Sequence, residues 1–424
     1  MKILWLCNIM LPKVSRALSL PEINTGGWLT GISNDLLALN NISIDKLLNY
    51  NKINLCVCFP QNISKSLMSG TADDLSYYAF PPKSNLEHVF KKIISEFVPD
   101  IIHIFGTEYK HTYDMMRILK SLNMTNKTIL SIQGIISIIS QNYYLGLPPH
   151  IIHAYTLRDI IKGNIYADTR KLIQKSKYEI SAISQSEHII GRTDADKAFV
   201  MQINPNAKYH FCNETLRNEF YKNHWDINNC NRYSIFVSQY TSPLKGFHII
   251  LKEMSKIIQF FPDSHLYTTG KDPFKLNIKD KLKQTSYNKY IAYLIKKYDL
   301  TNHITFLGNL NEKQMCNIYL KSHVFVSASS IENSPNSLGE AMLLGVPSVS
   351  SDVGGVKNML THGIDGFIYP YNESYMLTHY ISQIFKDDKL ALKFSKNAST
   401  HASITHNKET NINTLIKIYN DISY

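Results

Sequence analysis

Residues 327–355 read SASSIENSPNSLGEAMLLGVPSVSSDVGG, and the chain enters them through His323-Val324-Phe325-Val326. A short apolar, β-branched run of this kind makes a strand buried on both faces of a parallel sheet. A polar loop over 327–336 follows, and then a helical pattern over 337–344. Gly345 stops that helix and Pro347 forbids its return. A second strand is expected over 346–350, ahead of the turn Gly354-Gly355. The unit is β-α-β, and its loop-to-helix junction faces the carboxyl end of the sheet, where such folds bind ligands.

Glu332 and Glu340 flank that junction, one in the loop and one in the first helical turns. The first N–H groups of any helix lack internal partners, so those of Asn336, Ser337 and Leu338 suit a diphosphate. The two carboxylates would then accept hydrogen bonds from sugar hydroxyls on either side. A plainer reading competes: Ser337 with Glu340 three residues later is an ordinary capping box.

The longer pattern favours the ligand. Glu332, seven residues, Glu340, then Ala-Met-Leu-Leu-Gly-Val-Pro-Ser-Val and a Gly-Gly turn resembles the donor-site signature of glycosyltransferase family 4. These are retaining enzymes of the glycosyl transferases group 1 kind with the GT-B fold. The resemblance implies that Glu332 contacts the donor sugar and Glu340 the nucleotide ribose.

At 424 residues the chain exceeds one ordinary core and implies two domains of roughly 200 residues each. Hydrophobic content of 44% with 19% charged residues describes a folded, water-soluble chain. The net charge of +11 attracts anions, but it does not choose among nucleotides, anionic lipid and nucleic acid. Six cysteines are scattered without metal-ligand spacing, which fits buried free thiols in a reducing cytoplasm. The run 3–11 lacks a cleavage site and reads as a first buried strand, not a signal peptide. No segment reaches the length of a membrane span.

In the first half, strands are expected over 2–8, 53–59, 100–105 and 128–132, with helices over 86–97 and 112–122 between them. That alternation argues for a parallel, doubly wound domain. No G-x-G-x-x-G follows a strand, which speaks against a dinucleotide-dependent dehydrogenase. The first strand leads to Thr25-Gly26-Gly27-Trp28; in the resemblance, the loop with Gly26 and Gly27 faces the donor phosphate and the acceptor across the cleft. His103, at a strand end, reads more readily as a packed core histidine than as a catalyst. Family members often carry a sugar-contacting His where this chain has Gln133, whose amide hydrogen-bonds a hydroxyl but cannot act as a base. Arg192 suits an anionic donor or acceptor, and an ion pair with Asp194 or Asp196 is the structural alternative.

In the second half, Lys245-Gly246 lies at a strand-to-helix loop, a sensible phosphate clamp. The family usually adds an Arg ahead of that Lys, but Gln239 or Tyr240 stands there, so the two-cation clamp is incomplete. Gly308 ends a strand beside which the family places the nucleotide base. Two basic segments remain, 141–185 and 271–297; the second has eight lysines against only Asp272 and Asp280. The first reads as a solvated face or as contact with the acceptor or a membrane surface, the second as a solvated insertion or as peripheral contact with an anionic membrane. Too few aromatics interleave the lysines for a nucleic-acid surface.

The expected architecture is α/β, GT-B, with two doubly wound Rossmann-like domains facing a central cleft. The first is placed at 1–217, a linker at 218–232, the second at 233–406, and a last helix at 407–424 crossing back to the first. The expected activity is retaining transfer of a sugar from a nucleotide-diphosphate sugar to a saccharide or glycolipid hydroxyl, in bacterial surface polysaccharide or glycoconjugate synthesis. No metal and no cofactor is expected, because no Asp-x-Asp motif stands in a suitable place and Lys245 with the helix start would carry the positive charge. Glu332 and Lys245 are the catalytic candidates. A cytoplasmic location, at most peripheral on the inner face of the plasma membrane, goes with this reading. The alternatives are a GT-B nucleotide-sugar epimerase and a non-catalytic, basic, anion-binding protein.

Overall fold

The computed structural model describes residues 1–21, 26–41 and 52–423; Thr25 of the first glycine loop lies outside them. The chain divides into two compact units. The first comprises Met1–Ile136, Gln174–Leu216 and Asn407–Tyr424; the second comprises Ser137–Ile173 and Arg217–His406. Each carries one sheet clothed by helices, so the protein has the mixed α/β, doubly Rossmann-like make-up of the GT-B fold.

The first sheet contains β1 (Lys2–Leu6), β2 (Asn54–Pro60), β3 (Met68–Ala72), β4 (Leu75–Phe80), β5 (Ile101–Phe105), β6 (Thr128–Ser131), β7 (His188–Gly191) and β8 (Lys208–Phe211). Their order is β3-β4-β2-β1-β5-β6-β7-β8, parallel except for the antiparallel pair β3-β4 at one edge. β1 and β5 read as near-continuous apolar runs because both faces are covered. The helix Leu86–Phe97 shows the complementary pattern, burying Leu86, Val89, Phe90, Ile93, Ile94 and Phe97 at helical spacing. The last helix, Lys408–Ser423, packs Ile412, Leu415, Ile416 and Tyr419 into the same core as Trp5. The Tyr419 hydroxyl accepts from the Trp5 indole at 3.0 Å and lies 2.7 Å from His103 Nδ1.

The second sheet contains β9 (Asn231–Val237), β10 (His265–Thr268), β11 (Ile304–Phe306), β12 (Ser322–Ser327), β13 (Ser348–Ser351) and β14 (Phe367–Tyr369). All pairs are parallel, in the order β11-β10-β9-β12-β13-β14. The winding reverses between β9 and β12, so that is the switch point where a doubly wound sheet opens a crevice at its carboxyl edge. The helix after β12, Asn336–Leu344, is buried from Leu338 to Leu344 and ends at Gly345 with φ 78°. A side chain at Gly345 would meet those of Ser395 and His224, so both conformation and space demand glycine.

Two expected boundaries differ from these units. Residues 137–173, expected within the first domain, group with the second. Residues 218–232, read as a linker from their asparagines and charges, are anchored in the second unit. Phe220 and Trp225 are buried there, and the Trp225 indole donates to the Ser322 carbonyl at 2.8 Å.

Candidate functional site

The loops leaving β9 and β12 meet at the switch point of the second sheet. After β9 the chain forms the single turn Pro243–Lys245, then Gly246 in the left-handed region at φ 64°, then the helix Phe247–Phe260. A side chain at Gly246 would strike the Ala328 carbonyl just beyond β12, so glycine lets the two loops close together. The contact that results is an ion pair between Lys245 Nζ and Glu332 Oε1. Ser329 donates its hydroxyl to the same Oε1 at 2.6 Å, and the Glu332 carbonyl accepts from Gly355 N–H at 3.1 Å. Glu332 Oε2 has no partner among the described residues. Both side chains are mostly but not wholly buried, at 22% and 12% exposure.

Glu340 is held differently. The Arg217 guanidinium grips it in two parallel bonds, Nε to Oε1 at 2.6 Å and Nη2 to Oε2 at 2.7 Å. Arg217 in turn lies over the Phe220 ring at 4.7 Å. Burial pushes the Glu340 carboxyl above its ordinary range, and the guanidinium pulls against that. Each carboxylate oxygen keeps a second lone pair for a ligand hydroxyl. The Ser337–Glu340 capping box does not form: the N-cap is Pro335, no side chain caps the helix, and its first turn holds no acid. Tyr319 instead donates to the Ser337 carbonyl at 2.9 Å. Asn336 and Ser337 open the helix without a side-chain cap, and the Leu338 N–H is taken by the Pro335 carbonyl at 3.0 Å.

The clamp position ahead of Lys245 holds no cation. Gln239 is half-buried at the end of β9. Tyr240 turns inward against Phe247 and Phe306 and donates its hydroxyl to the Lys271 carbonyl. Gly308, at φ 69°, pairs with Gly270 through two backbone bonds of 2.9 and 3.0 Å, and nothing stands within 4 Å of where its side chain would be. These residues all lie at the carboxyl ends of β9 to β12.

The remaining candidates lie in the first unit. Gly26, at φ 77°, opens the helix Gly27–Ala38, and Ile9 fills the place of a side chain there. Gln133 and Arg192 line a pocket with Trp28, His103 and Glu214. Arg192 is 5% exposed and its ion-pair partner is Glu214, at 2.6 Å, not Asp194 or Asp196. Its Nη2 also reaches the Ile132 and Gln133 carbonyls at 3.5 and 3.4 Å. Asp196 is drawn to the helix start, where it accepts from the N–H groups of Arg192 and Thr193. The charge on Arg192 is thus already balanced within its own unit. His103 is enclosed by Ser131 and Tyr419, and burial lowers its pKa to about 3, so it is neutral.

Sequence reading missed Arg217 and Glu214 as partners. Arg217 meets Glu340 across 123 residues of chain, and no local pattern announces such a pair. Among the described residues no group of three or more His, Cys, Asp or Glu is placed to hold a metal ion, and no helix is long and apolar enough to cross a membrane.

Residues 217–401 match the family described as glycosyl transferases group 1. The chain is 29% identical over 163 residues to YtcC of Bacillus subtilis, covering 38% of each protein. It is 24% identical over 174 residues to the phosphatidyl-myo-inositol mannosyltransferase of Mycolicibacterium smegmatis, covering 40% of each. The matched stretch spans about two-fifths of the length of these curated relatives. Sucrose-phosphate synthase from Thermosynechococcus elongatus shares the fold with a TM-score of 0.71 at 13% identity, over 100% of this chain and 99% of that one. Anabaena HepE, solved in complex with UDP and glucose, superposes with a TM-score of 0.67 at 15% identity, over 99% and 100%.

Proposed function

We propose that this chain, whose residues 217–401 fall in the glycosyl transferases group 1 family, moves a sugar from a nucleoside-diphosphate sugar to a hydroxyl of a saccharide or glycolipid with retention at the anomeric carbon. The observation that carries this is the Lys245–Glu332 ion pair at the β9/β12 switch point, beside an uncapped helix start. A nucleoside diphosphate is a poor leaving group unless the charge growing on its oxygen is met. Lys245 and the N–H groups opening the helix Asn336–Leu344 meet it, taking the part a divalent cation plays in other transferases. Donor binding draws Lys245 onto the diphosphate and frees Glu332 for a hydroxyl of the sugar. Glu340, fixed by Arg217, accepts from the ribose, and the open space over Gly308 takes the flat base. Gly26, Gly27, Gln133 and Arg192 belong to the acceptor-side unit in this reading. The products would feed surface polysaccharide or glycoconjugate synthesis.

A thermal-shift screen against UDP-, GDP- and ADP-sugars tests the donor, because a ligand bound only by the folded chain raises its melting point. Glu340→Gln should weaken the free nucleoside diphosphate by about 1.5–3 kcal/mol, the worth of a hydrogen bond to a charged group. Glu332→Gln should abolish most turnover while leaving nucleotide affinity nearly intact. Unchanged binding and turnover in both variants would overturn the assignment.

A further inference from the structure

Amphipathic helices ordinarily turn their apolar stripe to the core. Two short helices of the second unit do the reverse. In Leu157–Lys162, the side chains Leu157, Ile160 and Ile161 share a face and are 62%, 70% and 83% exposed. In Ile278–Leu282, Ile278 and Leu282 stand one turn apart and are 79% and 53% exposed. The start of the first helix is tied to the segment that follows the second, 284–286, just past Leu282 and at the opening of the helix Ser286–Lys297. The Thr156 hydroxyl donates to the Gln284 carbonyl at 2.7 Å across 128 residues of chain, and Ser286 N–H donates to the Asp159 carboxylate at 2.8 Å. Thr156 and Asp159 form the capping box of the first helix, so the tether holds that helix by its start. Segments that read as separate basic stretches in the sequence are neighbours here.

Their charge is one-sided. Lys162, Lys279 and Lys281 are exposed on these helices and form no ion pair among the described residues. The acids nearby are occupied: Asp159 is buried against Arg158, Asp280 pairs with Lys271, and Asp272 pairs with Lys275. We propose that this surface docks on a bilayer with anionic headgroups, the leucines and isoleucines entering the headgroup–acyl boundary and the lysines meeting phosphates. A second copy of the chain is a poor occupant. A two-fold interface sets a patch against itself and would bring lysine against lysine in a protein that already carries +11. A nucleic acid would engage the lysines and leave the apolar stripes in water. A bilayer uses both. None of these residues belongs to the donor site, so docking is measured independently of turnover.

The test is flotation of the full chain with vesicles of phosphatidylcholine alone and of phosphatidylcholine with phosphatidylglycerol, at low and high salt. The chain should float with the anionic vesicles at low salt, not with the neutral ones, and release as salt rises. Ile161→Ser and Ile278→Ser should each weaken partitioning about tenfold. Lys162→Gln and Lys279→Gln should each weaken it about fivefold. All four sit on exposed faces and should leave the melting temperature unchanged. Absence of flotation at low salt overturns the proposal. So does loss confined to one helix, which would break the single surface, or loss in the lysine variants alone together with retention on DNA. A concentration-dependent dimer that Ile161→Ser and Ile278→Ser dissolve would assign the face to a second copy instead.

Discussion

The helices that follow β7 and β12 both start at the carboxyl edge of a parallel sheet, and they start in opposite ways. The helix Asp194–Ile203 is closed by its own side chains. Thr193 and Asp196 form a complete capping box, and Asp196 also takes the Arg192 N–H and the Tyr209 hydroxyl. The helix Asn336–Leu344 has Pro335 at its cap, no capping side chain and no acid in its first turn, with Lys245 and Glu332 close by. A helix start that satisfies itself has nothing left for a ligand. One with no side-chain cap leaves its opening N–H groups better placed for an anion, as the proposed donor site requires. The same contrast extends to the cations: Arg192 is enclosed with Glu214 at 5% and 7% exposure, whereas Lys245 keeps 22%.

The strongest way to break this contrast is to remove what props the open helix. Arg217→Ala strands the buried Glu340 carboxylate without its partner, and a charge left so costs about 3 kcal/mol of stability or more. Denaturant unfolding of the variant measures it. A loss well under 1 kcal/mol would mean that Glu340 takes up a proton or finds water. Next comes the cation at the open start. No second cation stands ahead of Lys245, so Lys245→Ala should cut turnover about 100-fold, the scale of one preorganised stabilising donor. Lys245→Arg should restore part of it by keeping the charge. Arg192→Ala should act through stability, since it removes the guanidinium of a buried ion pair with Glu214 in the core of the first unit. Near-normal turnover in Lys245→Ala would remove the loop after β9 from the donor site.

A third effect belongs to the closed side. Burial holds the His103 pKa at about 3, far below its unfolded value near 6.5. As pH falls under 6.5 the unfolded chain binds a proton that the folded chain refuses. The stability tied to neutral His103 is therefore complete above 6.5 and drains as pH falls toward 3. The slope is about 1.4 kcal/mol per pH unit, or about 2 kcal/mol by pH 5. Unfolding curves of wild type and His103→Gln near neutral pH and near pH 5 should converge by that amount. Parallel pH profiles would show that the ring takes up its proton without unfolding.

What was legible in the sequence was local. The run 323–326, the glycine at 345 and the alternation of strand and helix depend on neighbours in the chain, and they gave a doubly wound fold correctly. The pairs that fix the candidate site and the first core are not local: Arg217 with Glu340 spans 123 residues, and His103 with Tyr419 spans 316. Composition misled where burial decided. The asparagines of 218–232 suggest a linker, yet Phe220 and Trp225 pin it into the second unit. The hairpin β3–β4 escaped notice because its turn is Asp73-Asp74, with Asp73 at φ 56° and no glycine to mark it. The Ser337–Glu340 spacing misled for a sharper reason. Pro335 takes the cap and starts the helix at Asn336, which moves Ser337 inside, while Arg217 claims the carboxylate.

The smallest effect tests that last point most directly, because two similar strings make opposite predictions. Thr193-Asp-Ala-Asp196 and Ser337-Leu-Gly-Glu340 both fit the capping-box spacing, but only the first forms one. Thr193→Ala removes the acceptor for the Asp196 N–H at a helix start whose Thr193 is 2% exposed. It should cost about 1 kcal/mol, the usual worth of a filled cap. Ser337→Ala removes no cap, so unliganded stability should change by less than about 0.5 kcal/mol. The two single variants measured by urea unfolding, without nucleotide, give the comparison. Equal losses would mean that the helix after β12 is closed by Ser337 after all, and the anion site at its start would go with it.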